Sequence, residues 1–214
     1  MNQDLPAIVF QDEFMVAFDK PTGLLSVPGI GPEKADCLAS RAENAISGTR
    51  IVHRLDRDTS GVIVLARDAD THRELSRQFH DRETDKTYFA VVAGTVLGEE
   101  GLIDAPLRKD LDRPPRHLVD QVQGKSAQTR WCVEARGCAP ERTLLKFEPH
   151  TGRTHQLRIH ACVLGHPILG DDLYAPPETV QAADRLMLHA AELVVTHPRS
   201  GERIQLVAPV PFAL

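Results

Sequence analysis

The sequence has 214 residues, of which 42% are hydrophobic and 26% are charged, and its formal net charge is −5. This composition is typical of a globular protein and argues against a disordered or fibrous chain. The longest apolar runs have about six residues. A membrane-spanning helix needs ~20, so we expect no membrane segment. The length fits one domain, over residues 1–214.

Short apolar runs between turn residues predict eight strands. They are Ala7–Phe10, Phe14–Phe18, Gly61–Ala66, Thr87–Ala93, Thr129–Glu134, Thr143–Phe147, Glu192–Thr196 and Ile204–Val207. Apolar residues at helical spacing predict helices over Glu33–Ile46, Ala69–Phe79 and His155–Leu164. Strands grouped with a few helices, without strict β-α-β alternation, predict an α+β fold.

Two stretches concentrate positive charge despite the negative total. Pro106–Arg130 holds six Lys and Arg residues against three Asp, and Arg142–His160 holds four against one Glu. Such stretches predict a local surface for the phosphates of a nucleic acid. The alternative is that both are solvated loops with incidental charge.

A polar segment, His53–Gly61, precedes the most apolar strand. Arg54 and Asp56 are two positions apart and point to the same side of an extended backbone, and Asp58–Gly61 is a turn sequence. A buried strand behind this segment can aim its side chains into a site. The same residues also fit a surface ion pair worth ~0–1 kcal/mol.

A helix with Thr154 as its predicted N-cap carries Arg158 beside its apolar face. A buried Arg needs an anionic partner, and Asp56 is our candidate because a neighbouring Arg keeps an Asp ionised, as a nucleophile or base requires. His155 and His160 are five positions apart, unlike the i, i+4 pair of a zinc helix. We therefore predict no metal site and expect the histidines to be hydrogen-bonded structural residues.

Tyr88 opens a predicted strand and is one of two Tyr in the chain. An aromatic ring stacked on a nucleobase contributes ~1–3 kcal/mol. Tyr88 is therefore a candidate for base stacking, although an ordinary half-buried strand residue explains it as well.

Five segments, in this order along nearly the whole chain, resemble the RluA family of pseudouridine synthases. They are Asp12–Pro28, His53–Gly61, Lys86–Tyr88, Gly152–His160 with Gly165–Asp171, and Leu186–Ala190. The resemblance implies a mixed, largely antiparallel central sheet with flanking helices and a catalytic cleft. It also implies one catalytic domain without an N-terminal S4 domain. The implied reaction converts a flipped-out uridine of RNA to pseudouridine without a metal or cofactor.

By this resemblance Asp56 is the catalytic carboxylate, Arg158 pairs with it and Tyr88 stacks on the uracil. Whether Asp56 attacks C1′ or removes a sugar proton stays open. The residues expected to contact RNA are Arg54, Arg57, Arg108, Lys109, Arg113, Arg116, Arg153 and His155. The implied partner is structured RNA, namely stem-loops of 23S ribosomal RNA, of a tRNA anticodon arm or of both. We expect a cytoplasmic monomer with no obligate protein partner.

Two other classes of function follow from the residues alone. A module that binds RNA without chemistry would fit the basic stretches, but it would have no use for an acidic group facing phosphates. A metal-dependent nuclease would need clustered carboxylates, and Asp56 and Asp58 are the only close pair in that segment.

Overall fold

The computed structural model describes residues 4–214, apart from the side chain of residue 33, so residues 1–3 of the predicted domain lie outside the described residues. The elements in chain order are β1 (Ile8–Gln11), β2 (Met15–Lys20), a 3-10 helix (Pro32–Lys34), α1 (Leu38–Ala45), β3 (Arg50–Ile51), β4 (Ser60–Ala66), α2 (Ala69–Asp81), β5 (Asp85–Ala93), β6 (Glu100–Asp104), β7 (Leu107–Lys109), β8 (His117–Val119), β9 (Gln128–Cys138), β10 (Glu141–Pro149), α3 (Gln156–Val163), α4 (Pro177–Gln181), β11 (Leu188–Thr196) and β12 (Arg203–Val207). The described chain divides into two compact units, residues 4–86 with 190–210 and residues 87–189 with 211–214.

The first unit is built on antiparallel strands. β2 pairs with β1 on one side and with β4 on the other. β4 has β11 as its second neighbour, β3 pairs with the last two residues of β4, and β11 pairs with β12. All seven residues of β4 are buried, as expected for an apolar strand covered on both faces. Asp68 caps α2 by accepting a hydrogen bond from the N–H of Thr71 at 2.8 Å.

The second unit holds the antiparallel strand order β5-β10-β9-β6 and a separate hairpin of β7 and β8. Its core contains Trp131, Leu145, Phe147, Leu157 and Ile168, all buried. Leu157 belongs to α3, so this helix packs on the same core as the sheet.

The predicted α+β class is confirmed, because mostly antiparallel sheets are combined with a few helices. Each of the eight predicted strands is present, with ends shifted by a few residues. Four further strands, β3, β6, β7 and β8, were missed; they have two to five residues, too few for a clear alternation of apolar and polar positions.

The helix predicted over Glu33–Ile46 is wrong in its first part, since α1 begins at Leu38. Cys37 is extended there and caps the helix, accepting from the N–H of Ser40 at 3.4 Å. The predicted N-cap Thr154 is also wrong, because α3 begins at Gln156. In the described part of the chain, no helix is long and apolar enough to cross a membrane.

Candidate active site

The segment that carries Asp56 leaves the sheet directly after β3. β3 pairs with β4 for two residues only, and the imidazole Nε2 of His53 then accepts a hydrogen bond from the N–H of Val64 in β4 at 3.1 Å. The side chain of His53 thus accepts the hydrogen bond from β4 that the backbone of a longer β3 would accept. The backbone after His53 is therefore released from the sheet and can form the loop that presents Asp56.

His53 acts as an acceptor because it stays neutral. Its ring stacks on Phe79 of α2 with centroids 4.3 Å apart. Burial, together with the positive charge of Lys86, lowers the pKa of His53 to about 3. A neutral imidazole carries one nitrogen without a proton, and the contact with Val64 uses it.

Ser26 holds the residue immediately before Asp56. Its hydroxyl accepts a hydrogen bond from the N–H of Leu55 at 3.1 Å and donates one to the carbonyl of Leu55 at 2.7 Å. Ser26 and Leu55 are both buried. Both backbone polar groups of Leu55 are therefore satisfied by one side chain, as buried backbone groups require.

Lys20 and Thr22 hold the two residues that follow Asp56. The fully buried ammonium of Lys20 donates to the carbonyl of Arg57 at 2.9 Å and to two carbonyls of its own segment at 2.8 and 3.0 Å. The hydroxyl of Thr22 donates to the carbonyl of Asp58 at 2.8 Å. Side chains of the segment 20–26 thus fix the backbone on both sides of Asp56, and sequence reasoning assigned none of them a role.

The side chains of the loop differ in exposure. Asp56 is half-buried, whereas Arg54 and Arg57 are exposed. Arg57 forms a two-point ion pair with Asp58, with nitrogen–oxygen distances of 2.9 and 3.0 Å. The surface ion pair that the sequence allowed is therefore made by Arg57 and Asp58, the two residues after Asp56.

The loop ends at Gly61, where only glycine fits. Its φ is +114°, and a Cβ at this position would lie 2.1 Å from the carbonyl oxygen of Ala190 in β11. The close approach of β4 and β11 thus excludes a side chain here.

In the second unit, Arg158 is almost fully buried on α3 and has two carboxylate partners. Its guanidinium binds Asp171 in a two-point arrangement, with Nε 2.8 Å from Oδ2, and lies 3.0 Å from Oδ1 of Asp172. A buried guanidinium needs such pairing. Sequence reasoning missed both partners. The predicted pairing of Arg158 with Asp56 joins residues of different units and stays a prediction.

Tyr174 connects α3 with the β7–β8 hairpin. Its hydroxyl oxygen accepts from the N–H of His117 at 2.8 Å and lies 2.7 Å from Nδ1 of His155. The guanidinium of Arg116 lies over its ring at 5.2 Å and that of Arg158 at 5.4 Å. Burial raises the pKa of Tyr174. No local sequence pattern indicated that Tyr174 would connect these elements.

The start of α3 depends on Gln156 rather than on Thr154. The buried Gln156 amide accepts from the N–H of Arg153 at 3.0 Å and donates to the carbonyl of Gln128 at 3.0 Å. His155 takes a left-handed conformation with φ 57° just before the helix. These contacts tie the turn before α3 to β9.

Tyr88 lies in β5 opposite Phe147 of β10 and packs partly buried against the core of the second unit. Its position in a paired strand is as predicted, and its role in base stacking stays a prediction.

The predicted RNA-contacting cations of the first basic stretch lie on the β7–β8 hairpin. Arg108 pairs with Asp120 at 2.6 Å and Arg113 pairs with Asp110 at 3.0 Å. Lys109 is exposed at the end of β7. The Arg108 guanidinium, with two backbone N–H groups, lowers the pKa of Asp120 to about 2.

Arg153, from the second basic stretch, is half-buried, and its Nε donates to the carbonyl of Ser126 at 3.0 Å. Arg153 belongs to the turn that precedes α3. Its predicted contact with RNA is not tested by this arrangement.

The histidines of α3 and its flanks make structural hydrogen bonds, as expected. His160 is fully buried between the hydroxyl of Thr129 at 2.8 Å and the carbonyl of Ala105 at 3.1 Å, and burial lowers its pKa. Nδ1 of His166 lies 2.8 Å from the carbonyl of Ala93. Within residues 4–214, no group of three or more His, Cys, Asp or Glu is placed to hold a metal ion.

The fold places the protein among RNA-modifying enzymes. The solved structure titled human RNA pseudouridylate synthase domain containing 1 superimposes with a TM-score of 0.82 and 26% identity, over 97% of this chain and 84% of that one. The sequence matches the RNA pseudouridylate synthase family over residues 14–162, and the chain belongs to this family. Its reaction is the isomerisation of uridine to pseudouridine in RNA.

Curated relatives agree with this family and confirm the resemblance seen in the sequence. The chain is 48% identical to the dual-specificity RNA pseudouridine synthase RluA of Yersinia pestis, over 96% of this chain and 99% of the relative. It is 46% identical to the protein of the same name from Escherichia coli K12, over 96% and 93%.

Proposed function

We propose that this enzyme isomerises specific uridines in structured stem-loops of 23S ribosomal RNA, of a tRNA anticodon arm or of both, with Asp56 as the catalytic carboxylate. The similarity to dual-specificity relatives over nearly the whole chain supports two classes of RNA substrate. The enzyme is proposed to act in the cytoplasm as a monomer without an obligate protein partner.

The observation that carries the role of Asp56 is the way its backbone is held. Ser26 binds the residue before it at both polar backbone atoms, and Lys20 binds the carbonyl of the residue after it. A reacting group must be kept within about 0.5 Å of its productive position. A surface ion pair would have no need for two buried side chains that fix its backbone.

In the proposed reaction the N1–C1′ bond breaks, the detached uracil turns over, and C5 bonds to C1′. The proton on C5 is lost and N1 gains one, so the product is an isomer of the substrate. Asp56 either attacks C1′ or removes a sugar proton. Arg158 is its proposed partner, and Tyr88 is proposed to stack on the uracil and to assist the loss of the C5 proton.

The residues proposed to contact RNA are the same as those that the sequence suggested. They are Arg54, Arg57, Arg108, Lys109, Arg113, Arg116 and Arg153, with His155. Arg54 is proposed to fill the space left by the flipped uridine or to bind a nearby phosphate. Its exposure next to Asp56 supports this role.

The decisive test is Asp56→Asn, measured by tritium release from RNA containing 5-tritiated uridine. Turnover should fall by several orders of magnitude while the melting temperature and RNA binding are kept. Asp81→Asn, which neutralises an exposed carboxylate on α2, is the matched control and should remain active. Tritium release at the wild-type rate by Asp56→Asn would refute the assignment.

Two measurements complete the test. Tyr88→Phe keeps the ring and should bind RNA normally but turn over slowly, and unchanged turnover would remove the hydroxyl from the mechanism. Mapping pseudouridines in ribosomal RNA and tRNA from a deletion strain identifies the substrates. If neither ribosomal RNA nor tRNA loses a pseudouridine in this strain, both proposed classes of substrate are excluded.

A further inference from the structure

A pocket of about 430 Å³ lies in the first unit beside the loop that carries Asp56. Its volume is within the range of sites that bind small molecules, about 300–1,000 Å³. Its wall includes Arg57, the residue directly after Asp56, and the turn at Gly23 and Leu24. Lys34, Asp36 and Arg41 add three further charged side chains to the lining.

The charge of this lining is positive. Asp36 is engaged by Arg41 through two contacts, Nε–Oδ1 at 2.8 Å and NH2–Oδ2 at 2.7 Å. Arg57 is engaged by Asp58 in the same way. Lys34 is exposed and makes no ion pair or hydrogen bond through its ammonium group with any described side chain. Among the described side chains of the lining, Lys34 is thus the cation that has no ionic partner.

The backbone carbonyl groups that border the pocket do not repel a bound anion. The carbonyl oxygens of Pro21 and Leu24 accept hydrogen bonds from the buried ammonium of Lys20. Gly23 has φ +81°, and a Cβ there would meet nothing within 4 Å. The turn therefore leaves open space in front of a backbone whose neighbouring carbonyls are already engaged by a cation.

We propose that this pocket binds a phosphate of the substrate RNA strand next to the target uridine, with Lys34 as its main cation. The proposal rests on the proposed function, because Arg57 links the pocket to Asp56. Because Arg57 directly follows Asp56 and lines the pocket, the strand that carries the uridine to Asp56 is proposed to pass this wall. Neither Lys34 nor Arg41 was recognised from the sequence, since both lie outside the basic stretches.

The first experiment measures RNA affinity as a function of salt. Lys34→Gln and Arg73→Gln each remove one positive charge from an exposed side chain of the first unit, and Arg73 does not line the pocket. Both substitutions are made in the Asp56→Asn background, which prevents turnover. The affinity of each protein for a tRNA anticodon stem-loop is then measured. Lys34→Gln should weaken binding several-fold and reduce the slope of log Kd against log salt by about 0.7, the value for one phosphate on a single strand. Arg73→Gln should change neither quantity.

The second experiment identifies the phosphate. Stem-loops with a single uncharged methylphosphonate are scanned across the linkages that flank the uridine. One position should weaken binding to Asp56→Asn several-fold and have no further effect when Lys34→Gln is also present, as expected for two groups in direct contact. Equal losses with and without Lys34 at every position would overturn the proposal.

The outcomes separate this proposal from the proposed function. If Asp56→Asn abolishes turnover but Lys34→Gln and Arg73→Gln bind alike, the phosphate site is wrong and the role of Asp56 stands. If Asp56→Asn remains active, the proposed function fails, whatever Lys34→Gln does to binding.

Discussion

The hydroxyl of Ser26 bridges the N–H and the carbonyl of Leu55, at 3.1 and 2.7 Å, although 29 positions separate the two residues. Ser26 is 2% exposed, so no bulk water can replace it. A single buried oxygen therefore sets the backbone position from which Asp56 projects. Ser26 belongs to Asp12–Pro28, the first of the family-like segments. This segment thus contributes to the site by holding the loop that carries Asp56.

Removing this hydroxyl should lower turnover more than it lowers RNA affinity. Ser26→Ala leaves two buried backbone groups without partners, which costs about 1–3 kcal/mol of unfolding free energy for each unsatisfied group. The Asp56 backbone then shifts, and a displacement of about 1 Å at a reacting group can reduce the rate ~100-fold. We expect kcat in the tritium-release assay to fall by about that factor and KM for RNA to stay within about threefold.

Thr143→Val is a matched control for Ser26→Ala. The buried Thr143 hydroxyl also bridges an N–H and a carbonyl, those of Val96 at 3.0 Å and Gly94 at 2.9 Å, but it lies in β10 of the second unit. Its removal should destabilise the fold similarly and spare kcat. Equal losses of kcat in both variants would mean that Ser26 acts only through stability.

The neutral state of His53 predicts a loss of stability in acid. The folded pKa is about 3, against an ordinary value of 6.5. Between these values the unfolded chain binds a proton that the folded chain does not, so stability falls as the pH is lowered from 6.5 towards 3. This one group contributes a slope of up to ~1.4 kcal/mol per pH unit.

Urea unfolding of wild type and His53→Gln between pH 7 and pH 4 measures this contribution. The difference in unfolding free energy between the two proteins should shrink steadily as the pH falls, because only the wild type carries the penalty. Parallel curves would show that His53 binds a proton equally well in the folded and the unfolded chain, so that its pKa is not lowered by folding. An NMR titration of the His53 ring gives the folded pKa directly.

Several features of the first unit could be predicted from the sequence. Five consecutive apolar residues, Val62–Ala66, predicted a covered central strand, and the charged, apolar-striped segment after Ala69 predicted α2. Both signals are local, because they depend on the spacing of side chains along one element. The family motifs likewise marked the Asp56 loop as a candidate site.

The supports of the site could not be predicted in the same way. Lys20 and Thr22 contact the loop across 37 and 36 positions, and a hydrogen bond over such a separation leaves no periodic pattern. Arg158 was assigned Asp56 as its partner because a buried arginine needs an anionic group and because the family resemblance implies the pair. The structure shows Asp171, 13 positions away, because the turn after α3 returns to the helix.

The two carboxylates on Arg158 should differ strongly in their effect on stability. Asp171 is fully buried and Asp172 is 53% exposed. Breaking a buried pair by removing one partner typically costs about 3–5 kcal/mol, whereas an exposed pair contributes about 0–1 kcal/mol. We expect Asp171→Asn to lower the unfolding free energy by several kcal/mol and Asp172→Asn to have little effect. Thermal unfolding of both variants measures this, and similar losses would show that burial does not decide the strength of this pair.

Tyr174→Phe should loosen the β7–β8 hairpin without removing the aromatic ring. The substitution deletes the oxygen that accepts from the His117 N–H and contacts Nδ1 of His155. The ring stays in place beneath the guanidinium of Arg116. The His117 amide should therefore exchange with solvent at least about tenfold faster, which corresponds to the loss of about 1.4 kcal/mol of protection, the order of one hydrogen bond. Hydrogen exchange followed by NMR or mass spectrometry measures this rate.

Arg116→Gln provides the opposite change at the same place, because it removes the cation over the ring and keeps the hydroxyl contacts. It should leave the exchange of the His117 amide unchanged and weaken RNA binding, since Arg116 is proposed to contact RNA. Tyr174→Phe should also weaken RNA binding, because a mobile hairpin loses conformational entropy when it binds. If Tyr174→Phe accelerates exchange but leaves RNA affinity intact, the hairpin does not contribute to RNA binding through its fixed position, and its cations act independently of Tyr174.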